Sequence, residues 1–173
     1  MQLIYIDSAY TDYLSKVDNR VSWNKNVIYQ RPYIGVLLNI QDKKYFAPLT
    51  SSAKNHRLAD RPMKESVTFY PIDECRLGGI NLNNMIPVID GVYWLVDLNL
   101  DSSDNRVQRN KKMLLRKTIR FLRKNKDSII IKAKFLYNLY CDDELYGNRK
   151  KITCDFRKLE EAANKYKRGK NEN

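Results

Sequence analysis

The stretch "YFAPLTSSAKNHRL", Tyr45 to Leu58, gathers the side chains best suited to chemistry. It begins as a strand, and Pro48 is expected to stop the pairing. Three adjacent hydroxyls follow, Thr50, Ser51 and Ser52, and then Lys54, the only histidine His56, and Arg57. Hydroxyls and cations in one short loop suit a phosphate. An RNA supplies its own nucleophile, the 2′-hydroxyl. An enzyme using it must hold the scissile phosphate in line, stabilise charge on the phosphoryl oxygens and move protons. Lys or Tyr can assist the last step if its pKa is tuned. The alternative is a Ser/Thr-rich turn that satisfies only its own backbone. Pattern alone leaves both open.

Other chemistries fit less well. The acid-rich segments "DSSD" (Asp101, Asp104) and "CDDE" (Asp142, Asp143) fall at expected helix boundaries, where capping explains them without a metal. One histidine excludes a two-histidine acid–base pair. A Ser51–His56 hydrolase lacks the GxSxG elbow. The cysteines Cys75, Cys141 and Cys154 are odd in number and widely spaced, which argues against a disulfide framework or zinc site and for a reducing cytoplasm. No apolar run reaches membrane-spanning length, and no secretory signal is evident.

The elements that position this loop follow from periodicity. Strands are expected at Gln2–Asp7 and Tyr33–Ile40, with Gln41 and Asp42 turning the latter into "KKYFAPL". Others are expected at Ser66–Ile72, within "GGINLNNMIPVI", and at "VYWLVDL", where Trp94 is expected in the core. Ser8 is expected to cap a short helix that turns Tyr10, Tyr13, Leu14 and Val17 to one face.

The character changes after residue 100. Arg106 to Lys126 holds ten Lys/Arg and no acid. On a helical wheel Leu114, Leu115, Thr118, Ile119, Phe121 and Leu122 face one side. Arg109, Lys112, Arg116, Arg120 and Arg123 face the other. A single-sign face costs self-repulsion, so this one is expected to meet a polyanion. The net charge of +12 points the same way. Two further helices are expected, in "SIIIKAKFLYNLY" and in "DFRKLEEAANKYK". Asp155 caps the second, with Phe156, Leu159, Ala163 and Tyr166 inward. The whole pattern is one α+β domain over residues 1–173, a mostly antiparallel sheet with helices around it.

Several blocks in order then resemble the ToxN/AbiQ group of type III toxin–antitoxin and abortive-infection endoribonucleases. They are "AYTDYL", "YQRPYIGVLL", "KYFAPLTS", "LGGINLNNMIPV", "KKMLLRKTIRFLRKN" and "TCDFRKLEEAANKY". AbiQ looks nearer than ToxN. The resemblance implies a compact, strongly curved sheet related to the Kid/MazF toxins. It implies metal-independent RNA cleavage without a cofactor, leaving 2′,3′-cyclic phosphate and 5′-hydroxyl ends. The implied partner is a small repeated pseudoknot RNA, cut by the toxin from its own precursor and inhibiting it in ring-shaped complexes until phage infection releases it. By resemblance Ser51 is the essential serine, Thr50 the threonine before it, Tyr29 an active-site tyrosine, and Tyr10 a tyrosine lining the groove. Lys54 is the expected catalytic lysine, and Arg31 stands in for a basic residue that relatives carry a little later. His56 is a candidate phosphate contact, with a structural role as the alternative. The basic helix would bind the pseudoknot backbone, and Trp23 or a tyrosine would stack on unpaired bases. The competing functions are a non-catalytic RNA-binding protein and a metal-dependent nuclease using Asp101, Asp104, Asp142 or Asp143.

Overall fold

The computed structural model describes residues 1–22, 33–40, 43–50, 67–74 and 76–166, with backbone only at 34–38 and 40. Seven strands pair antiparallel: β1 (Gln2–Ile6), β2 (Tyr33–Ile40), β3 (Lys43–Thr50), β4 (Phe69–Pro71), β5 (Gly79–Asn81), β6 (Ile86–Val88) and β7 (Tyr93–Leu95). The order is β4-β5-β3-β2-β1-β7, with β6 also paired to β3. Among the described residues five α-helices accompany them, α1 (Ser8–Val17), α2 (Arg106–Lys124), α3 (Lys126–Cys141), α4 (Gly147–Ile152) and α5 (Phe156–Lys165), with a short 3-10 turn at Leu82–Asn84. This is the expected mixture of an antiparallel sheet with helices, and the sheet path does not close into a barrel among the described residues.

Strand β3 is the hub. One edge pairs with β2, placing Tyr33 opposite Pro48. The other edge has two successive partners. Lys44 to Phe46 face β6, and Leu49 and Thr50 face β5. Pro48 therefore does not end the strand, contrary to expectation. It sits in the gap between the β6 and β5 ladders, where its missing N–H interrupts neither of them. The strand is buried on both faces from Tyr45 to Leu49. Burying such aromatic and aliphatic side chains stabilises by about 1.5–3 kcal/mol each.

Helix α1 is capped by Asp7 rather than Ser8. The Asp7 carboxylate accepts from Ala9 N at 2.8 Å, and a negative charge there also suits the helix dipole. Tyr10, Thr11 and Leu14 are buried, Tyr13 is half-buried, and Val17 is exposed. The Tyr10 and Tyr13 rings meet Tyr166 at 4.9 and 5.0 Å, which ties α1 to the end of α5. Asp155 caps α5 as expected, accepting from Lys158 N at 3.1 Å. Phe156, Leu159 and Ala163 of α5 are buried as expected, with Tyr166 half-buried just beyond it.

Beneath these helices lies a half-buried carboxylate. Glu160 of α5 accepts from Tyr45 at 2.5 Å, from Tyr137 at 2.8 Å and from Lys43 at 3.0 Å. Burial opposes its charge, but these donors outweigh it and hold Glu160 below the usual carboxylate range. The network bolts α3 and α5 to β3.

Two of the recognisable sequence blocks dock on each other. Asn83 Nδ2 donates to Ile152 O at 2.9 Å, and Cys154 N donates to Asn83 O at 2.8 Å. Asn84 Nδ2 donates to Arg20 O at 2.7 Å and lies 3.8 Å from Cys154 Sγ. Asn83 of "LNN" thus satisfies the backbone around "TCDF", and Asn84 satisfies the carbonyl of Arg20.

Trp94 is not core. It lies on β7, which among the described residues ends the sheet path with β1 as its partner, and it is 45% exposed. Its ring is tilted against Tyr5 at 6.4 Å.

Candidate functional site: the end of strand β3 and the basic helix

Thr50, the last residue of β3, is opposite Gly79 of β5. Gly79 is in turn opposite Pro71 of β4, and Asn81, two residues on, is opposite Phe69. In an antiparallel sheet, opposed residues and residues two apart share a face. Thr50, Gly79 and Phe69 therefore lie on one face. A Cβ on Gly79 would come within 2.0 Å of the Phe69 ring and 2.9 Å of Tyr70 O. Phe69 thus packs over a position that only glycine allows, directly beside Thr50. The glycine of "LGGIN" was visible in the sequence, but its partner Phe69 was not.

The neighbouring row is anchored from the opposite face. Leu49, Ile80 and Tyr70 align across β3, β5 and β4. The Tyr70 hydroxyl hydrogen-bonds the Ser128 hydroxyl of α3 at 2.6 Å, and the Lys132 ammonium lies 5.6 Å from the Tyr70 ring centre. Burial lowers the Lys132 pKa. The strand end that delivers Thr50 is thereby fixed to a helix as well as to two strands.

Ser51, Lys54, Tyr29, Arg31, His56 and Trp23 lie outside the described residues. Tyr10 is described, and it is not a groove surface. It is fully buried, and its hydroxyl donates to Pro87 O at 2.9 Å. Burial raises its pKa, as do the adjacent Tyr13 and Tyr166. Its hydroxyl serves the β6 backbone, so an RNA contact is replaced by a core role.

Helix α2 opens with a capping box. Asn105 Oδ1 accepts from Gln108 N at 2.9 Å, and Gln108 Oε1 accepts from Asn105 N at 2.8 Å. Leu115, Thr118, Ile119 and Leu122 are buried as expected, Phe121 is half-buried, and Leu114 is 47% exposed. The basic face is turned from the expected one. Lys112 is not an outer cation, since it bonds both oxygens of Asp104 at 2.8 and 2.9 Å and sits 3.6 Å from Asp97. Arg116 is half-buried, and its Nε donates to Leu98 O at 2.7 Å. Both hold the 97–104 segment against the helix. Arg109, Arg120 and Arg123 are exposed, as expected. Arg106, Lys117 and Lys124, also exposed, complete a ridge with Arg109 and Arg120 at successive spacings of 3, 8, 3 and 4 residues, the eight-residue step passing the exposed Met113 on the same face. The wheel missed this ridge because it could not see which flank the 97–104 segment would cover.

The acid-rich segments have local partners. Asp101 accepts from Ser103 N and Oγ at 2.8 and 2.6 Å. Asp142 follows α3 as its C-cap. Asp143 pairs with Lys150 at 3.1 Å and Arg157 at 3.6 Å.

An antiparallel α+β scaffold that ends a buried strand in a hydroxyl and carries a cationic helical ridge defines a basic protein whose charge suits a polyanion. Comparison with known proteins makes this specific. The family model described as Toxin ToxN, type III toxin-antitoxin system, matches residues 2–164, and the chain belongs to that family. It is 35% identical over 165 residues to Endoribonuclease ToxN of Pectobacterium atrosepticum, covering 93% of this chain and 91% of that protein. Endoribonuclease AbiQ of Lactococcus lactis subsp. lactis is 27% identical over 175 residues, covering 96% and 89%. Of these two, ToxN is the more similar, which reverses the expectation from the sequence blocks. A solved structure from work on a processed non-coding RNA that regulates a bacterial antiviral system superimposes with a TM-score of 0.78 at 32% identity, covering 97% of this chain and all of that one. Another, from work on selective toxin inhibition by a non-coding RNA pseudoknot, gives 0.73 at 31% identity, covering 95% and 96%.

Proposed function

We propose that this protein is a metal-independent endoribonuclease toxin of a type III toxin–antitoxin system. A small repeated pseudoknot RNA, which the toxin processes, restrains it in the cytoplasm until phage infection releases it. The observation that carries the reading is the match over residues 2–164, which runs through β3 and its terminal Thr50 to relatives named endoribonucleases. The reading gains support from a cationic ridge suited to an RNA backbone.

In the proposed reaction Thr50 and Ser51 hold the scissile phosphate through hydroxyl and backbone N–H groups. The substrate 2′-oxygen loses its proton to Tyr29 or Lys54 and attacks phosphorus, while Lys54 offsets the charge on the phosphoryl oxygens. The P–O5′ bond breaks, the 5′-oxygen takes up a proton, and a 2′,3′-cyclic phosphate and a 5′-hydroxyl result. Ser51 forms no covalent intermediate. Local use of the acids supports a reaction without metal: Asp104 is committed to Lys112, and Asp143 to Lys150 and Arg157.

We extend the proposal to the sheet, as a strongly curved one of the Kid/MazF kind. Only residues 89–92 join β6, on one edge of β3, to β7, beyond β1 on the far side. The Phe46 and Tyr93 rings, from β3 and β7, also meet at 5.0 Å.

The test is cleavage of RNA in EDTA with mapping of both ends. Cyclic phosphate and 5′-hydroxyl ends are the expected products. Ends bearing 5′-phosphate overturn the mechanism, and binding without any cutting favours the non-catalytic alternative.

A further inference from the structure

Away from β3 and α2, the end of α1 and the start of α5 enclose a cleft of about 530 Å³ with α4. Its charged lining is Lys16, Asp18, Arg20, Lys151, Asp155 and Lys158. The two carboxylates are already in use. Asp18 is buried and accepts from Arg20 Nε and Nη2, both at 2.8 Å, and from Asp155 N at 2.6 Å. Asp155 is occupied by the first turn of α5. Arg20 Nη1 points to the carbonyls of Lys150 and Lys151 at 3.4 and 3.5 Å, so its guanidinium forms a fixed wall.

Three cations are left for a ligand. Lys151 is exposed and has no ion-pair partner among the described residues. Lys158 stands 3.6 Å from Asp155, a loose contact. Among the described residues Lys16 pairs with the half-exposed Asp12 at 2.7 Å, and surface pairs of this type are worth little. The remaining lining is Ser15, Asn19 and Val17. It offers polar donors and no aromatic ring, so it can hold a phosphate and its sugar but cannot stack a base.

We propose that this cleft is a second RNA-backbone site, which grips a phosphodiester of a folded RNA too long to be covered by α2 and the end of β3 alone. The proposal rests on the reading of the protein as an RNA-cleaving toxin. It identifies a contact that reads charge, not base sequence.

The test compares the wild type with Lys151→Glu/Lys158→Glu across a salt series. The probes are a folded RNA of several tens of nucleotides, a short single-stranded substrate, and inorganic phosphate. The expected result is folded-RNA binding weakened by at least about tenfold, with a log K against log salt slope shallower by about 1.4–1.8, two phosphate contacts' worth. Cleavage of the short substrate and the melting temperature stay unchanged. An unaltered affinity and slope overturn the site. So does a phosphate-induced rise in melting temperature that the variant loses while folded-RNA binding persists, because that describes a small-anion pocket. An equal loss of short-substrate cleavage also overturns it, since the cleft would then belong to the catalytic groove; Lys151→Gln/Lys158→Gln separates that outcome from damage by the introduced acids. A wild type that binds and cuts no RNA fails the parent reading instead.

Discussion

Gly79 faces Thr50 across the β3–β5 ladder, and the ring of Phe69 fills the space that a side chain on Gly79 would need. The strand end that carries the Thr50 hydroxyl thus lies beside an aromatic packed over a glycine.

Gly79→Ala forces the Phe69 ring aside and disturbs the strand end. Overpacking of this kind costs about 1–3 kcal/mol. Chemical denaturation should show that loss, and RNA cleavage should fall by more than the unfolded fraction explains. A variant with wild-type stability and rate contradicts the close packing.

Ser51→Ala tests the proposed phosphate cradle. Loss of one stabilising donor should lower the cleavage rate by about 10²–10³-fold while RNA binding survives. Thr50→Val should act in the same direction with the fold intact, because valine suits a strand. Toxicity retained by Ser51→Ala removes the central assignment.

The cations of α2 divide into two classes. Lys117→Glu with Arg120→Glu removes two exposed charges, so RNA affinity should drop and the salt slope should shrink by about 1.4–1.8. Arg116→Met instead breaks the bond to Leu98 O, costing about 1 kcal/mol of stability with little change in RNA affinity. Filter binding and thermal melting distinguish the two. The same response from both variants contradicts the rotated face.

Glu160 introduces a pH dependence. Its pKa is depressed in the folded protein, so its stabilisation is fully present above the unfolded value of about 4.3. It is lost as pH falls through the folded value. Glu160→Gln should therefore melt below the wild type at pH 7, with the gap closing as the solution is acidified below about pH 4.3. A gap that stays constant with pH would assign the loss to packing instead of charge.

Much of the scaffold was legible in the chain. Alternation and apolar runs located β1, β2 and β3, and the Asp155 cap and the buried stripe located α5, because these signals act over a few neighbouring residues. The family was legible from ordered sequence blocks, and the match over residues 2–164 bears it out. Local reasoning missed the cap of α1, where Asp7 outcompetes Ser8, and the short helix α4, which has no buried residues to produce a pattern.

What the sequence determined by itself is most of the elements, the excess of positive charge and the family, since short-range periodicity, composition and ordered sequence blocks carry them. Tertiary structure alone decided which faces are covered. Pro48 continues β3 because two different strands share one edge. Tyr10 is core, its hydroxyl meeting Pro87, and Trp94 is exposed on β7, the last strand of the sheet among the described residues. Lys112 and Arg116 are spent on the 97–104 segment, which leaves Lys117 and Lys124 to face outward. Each outcome depends on a partner distant in the chain or on an open edge, and a wheel or an alternation pattern contains neither.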